Sequence, residues 1–261
     1  MKQGSSIPTY PVLGVPVAVT NFIELSRQLA VWAGRGDRAY AVEAADVHVI
    51  ARARTEKDFR KAIENFDLIC PDGMPLVWSL NNNPDNPRKQ DGRLSGAEIM
   101  LTTMRDPAAI EAGSHFLLGG PESLLETLHD KLAGLAPDAV IAGTYSPPFG
   151  TWPEDETERI AGLIRESGAR FVWVGLGCPK QERWIGDHLG MLPPAVYFGV
   201  GAAFAFHAGL VSRAPDFFQR NGLEWVYRIA REPRRLFRRY MVYNSIFITY
   251  SLLDFAKGRS R

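Results

Sequence analysis

The chain has 261 residues, of which 46% are hydrophobic and 23% are charged. This composition excludes a disordered chain, and the length suits one domain of about 200 residues with an appendage. The formal net charge of +1 conceals a segregation of charge, because the segment from Arg213 onward carries eleven Lys and Arg against four Asp and Glu. We therefore predict an acidic core over residues 1–212 and a basic appendage over residues 213–261.

The cysteines and the apolar segments indicate where the protein works. Cys70 and Cys178 have no paired spacing, which favours neither a disulfide framework nor a zinc site and fits a reducing cytosolic compartment. The N-terminus lacks the apolar run of a signal peptide. Residues 240–256 are apolar but include Asn244 and Asp254, so we expect a helix that docks on a membrane surface and does not cross it.

Apolar runs and helical patterns alternate along the core. A hairpin is predicted at residues 11–20, and six strands are predicted at AYAVEA, FDLICPDG, HFLLGG, DAVIAGTY, FVWVGLG and AVYFGVG. Helical patterns such as EKDFRKAIENF and PESLLETLHDKLAGL lie between most of these strands. This alternation predicts an α/β fold with a mainly parallel, doubly wound sheet and helices on both faces. The polar stretch 81–93 is predicted to be a surface loop.

Ligands of such sheets bind beyond the carboxyl ends of the strands, where this sequence has several polar or glycine-rich turns. Asp72 follows one predicted strand and precedes a helix, so its carboxylate either caps that helix or acts as a general base. Gly119 and Gly120 follow another strand and form either an ordinary turn or a contact for phosphate.

The stretch FVWVGLGCPKQERWI combines a glycine turn with polar side chains. Gly175 and Gly177 resemble the start of a dinucleotide fingerprint, but a proline and a lysine follow where its third glycine is expected, which disfavours a dehydrogenase. Lys180 and Gln181 offer a cation and an amide to a diphosphate or a sugar hydroxyl. Glu182 either joins this predicted substrate site or satisfies the positive end of a helix.

The remaining candidates outside the tail are isolated. Arg93 is either a phosphate-binding guanidinium or a solvated loop charge, and His48 and His207 are interpreted as structural histidines. The chain contains no D-x-D and no His/Asp/Glu cluster at metal spacing, so nothing calls for a metal, and we predict no cofactor.

A basic segment with interleaved aromatic residues lies between residues 220 and 240. Its predicted contact residues are Arg228, Arg231, Arg234, Arg235, Arg238 and Arg239. Such a segment suits an anionic membrane surface or a nucleic acid, and it is also compatible with a solvated basic helix. The apolar helix that follows favours the membrane, so we predict no nucleic-acid partner.

Taken together, several motifs resemble the WecG/TagA/CpsF family of bacterial glycosyltransferases. They are PDGMPLVW, RLSGAE, LLGGPE, YSPPF, VGLGCPKQERWI, GVGAAFAFHAG, RAP and NGLEWVYRIAREPRRLFRRY, in that order. The resemblance implies a Rossmann-like core with a C-terminal helical membrane-docking appendage. It also implies inverting, metal-independent transfer from a UDP-sugar to an undecaprenyl-diphosphate-linked saccharide on the cytoplasmic face of the membrane, and self-association through the core.

The resemblance also implies roles for single residues. Asp72 matches the catalytic base, Arg93 and Gln181 match active-site positions, and the tail arginines match those that meet the lipid diphosphate. Where the family usually has Thr-x-Asn this chain has Ala44 and Asp46, which places Asp46 beside the predicted pocket. The residues alone leave two alternatives, a nucleotide-binding oxidoreductase and a non-catalytic protein that binds membrane or nucleic acid.

Overall fold

The structure is a computed structural model that describes residues 5–215, 217–218 and 221–256, without the side chain of Arg235. The described strands are β1 Thr9–Val12, β2 Val15–Ala18, β3 Tyr40–Ala45, β4 Leu68–Pro71, β5 His115–Leu118, β6 Ile141–Tyr145, β7 Phe171–Val174 and β8 Val196–Gly199. The helices are α1 Phe22–Arg35, α2 Val47–Thr55, α3 Lys57–Glu64, α4 Met74–Asn82, α5 Gly96–Arg105, α6 Pro107–Ala112, α7 Glu122–Leu135, α8 Glu156–Ser167, α9 Lys180–His188, α10 Ala203–His207, α11 Glu224–Arg231 and α12 Pro233–Ala256.

Strands β3 to β8 form one sheet in the order β4-β3-β8-β7-β5-β6, and every neighbouring pair is parallel. Strands β1 and β2 form a separate antiparallel hairpin that packs against β4 and α4. Each of the six predicted runs yields one strand of the sheet, and the predicted hairpin is present. The prediction of a mainly parallel α/β sheet is confirmed.

Helices cover both faces of the sheet, as a doubly wound fold requires. Buried side chains of α1, α5, α6, α7 and α10 pack on one face, and those of α2, α3, α4, α8 and α9 pack on the other. Helix α3 shows why the sequence folds in this way, since Phe59, Ala62 and Ile63 recur on one side of the helix and are all buried.

The chain changes direction between β5 and β7, which are neighbours in the sheet. It leaves β5 for α7 on one face and leaves β7 for α9 on the opposite face. Such a switch point opens a crevice at the carboxyl ends of the two strands, where ligands of this fold class bind. The two predicted glycine turns, at residues 119–120 and 175–177, both lie there.

The C-terminal helices pack on the core beside α2. Phe247 of α12 is buried in the same cluster as α2 and α3, and Asp254 lies 3.6 Å from Arg54 of α2. The polar stretch 81–93 is less exposed than predicted. Gln90 is buried, and its amide accepts from the backbone nitrogen of Thr20 and donates to the carbonyl of the same residue, at 2.9 and 2.8 Å. The Gln90 amide thus bonds the backbone just after β2 as a neighbouring strand would, and hydrophobic periodicity in the sequence does not reveal such a contact.

The contact between α3 and α9 depends on Gly186. A Cβ atom at this position would overlap the carbonyl of Ala62, so Gly186→Ala should lower the free energy of unfolding by about 1–3 kcal/mol. Gly162→Ala in α8 is the matched control, since open space surrounds that position. It should stabilise the protein by up to about 1 kcal/mol through helix propensity. Urea unfolding of both variants measures the difference, and equal effects would contradict the packing.

Candidate active site

A cavity of about 670 Å³ opens at the carboxyl ends of β3 and β4. The segments that follow these strands line it together with the β1–β2 hairpin, α4, α11 and α12. The predicted site residues that line it are Asp46, Asp72, Arg93, Arg228 and Arg239. Carboxylates and guanidinium groups therefore converge in one concave and partly apolar space, which is the usual form of a small-molecule site.

Asp72 lies at the mouth of β4, where its backbone nitrogen donates to the carbonyl of Ala45. It does not cap α4, because Gly73 is the N-cap residue and no side chain completes that cap, so the capping interpretation is wrong. Its Oδ2 instead lies 3.4 Å from the backbone nitrogen of Gly96, and its Oδ1 lies 3.4 Å from Arg93 Nη1. Burial raises the pKa of Asp72 to about 7, although Arg93 acts to lower it.

Glu224, at the start of α11, sets the charge around Asp72. Its Oε2 lies 2.7 Å from Arg93 Nη1, and its Oε1 accepts from Arg228 Nε at 3.0 Å. Arg93 is thus closer to Glu224 than to Asp72, and the charge of Glu224 also raises the pKa of Asp72. The sequence prediction omits Glu224, whose signal is an acidic residue four positions before Arg228 in a basic segment.

Asp46 connects the end of β3 with α12. Its Oδ1 accepts from the backbone nitrogen of Val49 at 3.1 Å and so caps α2, while its Oδ2 lies 3.2 Å from Arg239 Nη2. Beside this pair the ring of His48 packs on Tyr243 with a centroid separation of 4.2 Å. Burial lowers the pKa of His48 to about 4, so its imidazole is neutral at pH 7.

The glycine turns lie at the switch point, away from the residues that line the cavity. Gly119 and Gly175 approach each other so closely that a Cβ atom on Gly119 would lie 2.8 Å from the carbonyl carbon of Gly175. Gly120 and Gly177 have φ of +79° and +77°, which L side chains rarely adopt. A Cβ atom on Gly120 or Gly175 would also meet neighbouring side chains, whereas the space beside Gly177 is open, so a ligand can approach the main chain at Gly177.

Lys180, Gln181 and Glu182 begin α9 and point in different directions. Lys180 Nζ lies 4.0 Å from the centroid of the Trp152 ring and donates to the carbonyl of Gly150 at 3.1 Å. Gln181 and Glu182 are buried beneath the turn and do not line the cavity. The position of Gln181 therefore favours a role in building the turn.

The tail arginines fall into two groups. Arg228 and Arg239 face the cavity, whereas Arg231, Arg234 and Arg238 are exposed. The side chain of Arg235 lies outside the described residues. Exposed apolar residues recur at helical spacing along the outer face of α12: Phe237, Met241, Ile248, Leu252 and Phe255. Helix α12 thus packs one set of apolar side chains, including Phe247, on the core and presents a second set to the outside.

No helix in the described part of the chain combines the length and the apolar character that crossing a membrane requires. Within the same residues, no group of three or more His, Cys, Asp or Glu side chains is arranged to hold a metal ion.

A doubly wound sheet with a carboxyl group near neutral pKa in a cavity at the strand ends is the arrangement in which active sites of α/β enzymes are found. The particular kind follows from the sequence of the whole chain. The model of the glycosyl transferase WecG/TagA/CpsF family matches residues 10–261, and the chain belongs to this family. It is therefore a glycosyltransferase of cell-surface polysaccharide synthesis, which uses a sugar donor and an acceptor.

Removing the charge of Glu224 should lower the pKa of Asp72. Glu224→Gln takes away a negative charge that raises this pKa and frees Arg93 to pair with Asp72. Carbon-13 NMR of the carboxyl groups measures the titration, with Asp72→Asn to assign the signal. Glu166→Gln, at an exposed position of α8, is the control and should leave the titration unchanged. An Asp72 pKa that stays near 7 in Glu224→Gln would contradict the arrangement.

Proposed function

We propose that the protein is an inverting glycosyltransferase that uses a UDP-sugar as donor and an undecaprenyl-diphosphate-linked saccharide as acceptor. The transferred group is a hexose or an N-acetylhexosamine-type sugar, and the product belongs to an exopolysaccharide, a teichoic acid linkage unit or a common antigen. The observation that carries this proposal is the Asp72 carboxyl group, which has a pKa of about 7 and lies in the same cavity as Arg228 and Arg239.

Asp72 acts as the general base. A base is most effective when its pKa is close to the working pH, and burial brings Asp72 to this range. The carboxylate takes the proton from the acceptor hydroxyl as that oxygen attacks the anomeric carbon, while the bond from this carbon to the UDP oxygen breaks. Attack from the face opposite to the leaving group inverts the anomeric configuration. Arg93, pinned by Glu224, lies beside the reacting groups.

The two diphosphates occupy different parts of the sheet edge. The donor diphosphate lies against the turns at Gly119, Gly120, Gly175 and Gly177, where α7 and α9 begin and their positive ends attract anions. Lys180 is the cation that this segment offers. Two strands separate β4 from β7, about 14 Å at the usual strand spacing, so an extended donor places its sugar near Asp72. Asp46 and Arg93 then contact the sugar or the acceptor.

The appendage brings the acceptor to the site. Arg228 and Arg239 meet the lipid diphosphate at the cavity, and Arg231, Arg234, Arg235 and Arg238 meet anionic headgroups. We also propose residues 1–212 as the core and residues 213–261 as the docking appendage, which matches the segregated charge. The protein works as a peripheral protein on the inner face of the cytoplasmic membrane. Self-association through the core stays a prediction that light scattering tests.

Membership in a transferase family favours this function over the oxidoreductase and over a non-catalytic binding protein. Assays of UDP release over a panel of UDP-sugars, each with a lipid-diphosphate saccharide acceptor, identify the donor. A chain that releases no UDP with any of them would contradict the proposed function.

Asp72→Asn should lower kcat by about 10²- to 10⁴-fold, because the amide cannot accept the proton. The wild-type rate should fall about tenfold per pH unit below about pH 7, as Asp72 becomes protonated, and this limb should vanish in the variant. UDP release measures both effects, and circular dichroism verifies the fold. Asp85→Asn, in an exposed loop, is the matched control and should retain wild-type turnover. Near-normal turnover by Asp72→Asn would exclude this residue as the base.

The outer face of α12 should carry membrane binding. Phe237→Ala should weaken binding to anionic vesicles by roughly ten- to hundredfold, since inserting one Phe side chain contributes about 1.5–3 kcal/mol. Phe247→Ala, on the buried face of the same helix, should instead lower the free energy of unfolding by about 3–5 kcal/mol. Cosedimentation and urea unfolding separate the two effects. Unchanged cosedimentation of Phe237→Ala would contradict this docking face.

A further inference from the structure

A second polar cluster lies buried beneath the turns that follow β7 and β8. Glu43 of β3 and Glu182 of α9 are 1% and 0% exposed, and each accepts a hydrogen bond from Gln181 Nε2 at 3.2 Å. The Oε2 atom of each carboxyl group has no hydrogen-bond partner among the described residues. The sequence prediction omits Glu43, whose signal is a glutamate within an apolar strand.

The Gln181 amide links this pair to the backbone of the turns. Its Oε1 accepts from the backbone nitrogens of Gly177 and Gly201, both at 3.2 Å. Both nitrogens are donors, so Oε1 must face them, and Nε2 must then face the two carboxyl groups. A flipped amide would oppose donor to donor and oxygen to oxygen at all four contacts. The two backbone nitrogens therefore fix the orientation of the amide, and the amide links both turns to the carboxyl pair.

The surroundings of the pair supply no compensating positive charge. The ionisable groups that interact electrostatically with it include Asp46 at the end of β3, Cys70 in β4 and Cys178 in the turn before α9. The described residues show no ion pair to Glu43 or Glu182. Of the nearby arginines on α2 and α12, Arg52 pairs with Glu56 and Arg239 pairs with Asp46.

Ionising both carboxyl groups at this buried position would carry a large free-energy cost of desolvation and mutual repulsion. Burial raises the pKa of Glu182 to about 7, and burial together with the charge of Glu182 raises that of Glu43 well above its ordinary value. The pair therefore holds at least one proton at neutral pH, as close carboxyl pairs elsewhere do.

We propose that Glu43 and Glu182 are positioning residues that keep a proton within the pair and, through the Gln181 amide, hold the turn after β7 in the shape that receives the donor diphosphate. The same amide ties the turn after β8 to it. This inference rests on the proposed function, because it takes the donor to be a nucleoside diphosphate sugar. Loss of the last proton would place a second negative charge beneath those turns, where it would repel the diphosphate.

The retained proton is tested by the pH dependence of unfolding. The native pair binds protons that the unfolded chain has released, so it should make the wild-type Tm fall relative to that of the Gln variants as the pH rises from about 5 to about 9. The buried His48, His115 and His207, whose pKa values are lowered, act in the opposite sense below about pH 6.5 but are common to all variants.

Glu43→Gln and Glu182→Gln keep the shape and an acceptor oxygen, and each should reduce the fall in Tm, with the double variant reducing it most. Asp72 titrates in the same range but is common to all variants. Glu166→Gln, which is exposed, should follow the wild type.

The positioning role is tested by UDP binding in calorimetry between about pH 7 and about pH 8.5, where the terminal phosphate of UDP, with a pKa of about 6, is largely ionised and the uracil ring keeps its proton. Wild-type affinity should fall on the order of tenfold across this range. Glu43→Gln should bind UDP with an affinity that changes little with pH, while Gln181→Leu should bind UDP at least about tenfold more weakly at every pH. At the upper end of this pH range, Glu43→Gln should therefore bind UDP more tightly than the wild type. A merely structural role of the Glu43 carboxyl group would not predict this gain.

The outcomes separate the parts of the proposal. Equal Tm profiles for wild type and both Gln variants would overturn the retained proton. A flattened Tm profile with an unchanged pH dependence of UDP affinity would overturn the positioning role. A wild type that binds no UDP at any pH would overturn the proposed donor and, with it, the positioning role, whereas the unfolding experiment would still decide whether the pair keeps a proton.

Discussion

A sheet with six parallel strands brings every carboxyl end to one edge, and this constraint arranges the whole site. Because β4 and β3 are neighbours, Asp72 and Asp46 meet at one end of that edge. Because β7 and β5 are neighbours, the two glycine turns meet further along it. Residues far apart in the chain thus form a row along the ends of the strands, with carboxylates at one end of the row and the glycine turns at the other. Under the proposed function, a donor laid along this row has its reacting sugar beside the carboxylates and its diphosphate beside the glycine turns.

Burial and ion pairing then decide the chemistry of each carboxyl group. Asp46 pairs with Arg239 and caps α2, and both contacts favour its ionised form. Asp72 is close to one guanidinium group, but Glu224 holds that group at 2.7 Å and leaves Asp72 at 3.4 Å. The longer contact stabilises the Asp72 carboxylate less, and burial therefore dominates its pKa. One glutamate from the C-terminal segment thereby adjusts the basicity of a residue in the core.

The strands, the switch-point turns and Asp72 could be predicted because each leaves a local signal. Apolar runs of strand length mark the sheet, and glycines or an acidic residue directly after them mark its edge. Local signals do not predict the roles of Glu43 and Glu224 or the burial of Gln181. These depend on tertiary contacts with residues that are distant in the sequence. The capping interpretation of Asp72 fails for the same reason, because Arg93 and the start of α5 compete for its carboxylate.

Helix α12 extends from the cavity to the outer surface of the protein. Its inner face supplies Arg239 to the polar end of the cavity, and Ile248, Leu252 and Phe255 line the other end while remaining largely exposed. The same side chains therefore belong both to the cavity and to the apolar outer face. Under the proposed function, a membrane in contact with that face lies against the open end of the cavity. A lipid-linked acceptor can then reach Asp72 while its chain remains in the bilayer, which removes the cost of extracting an apolar chain into water.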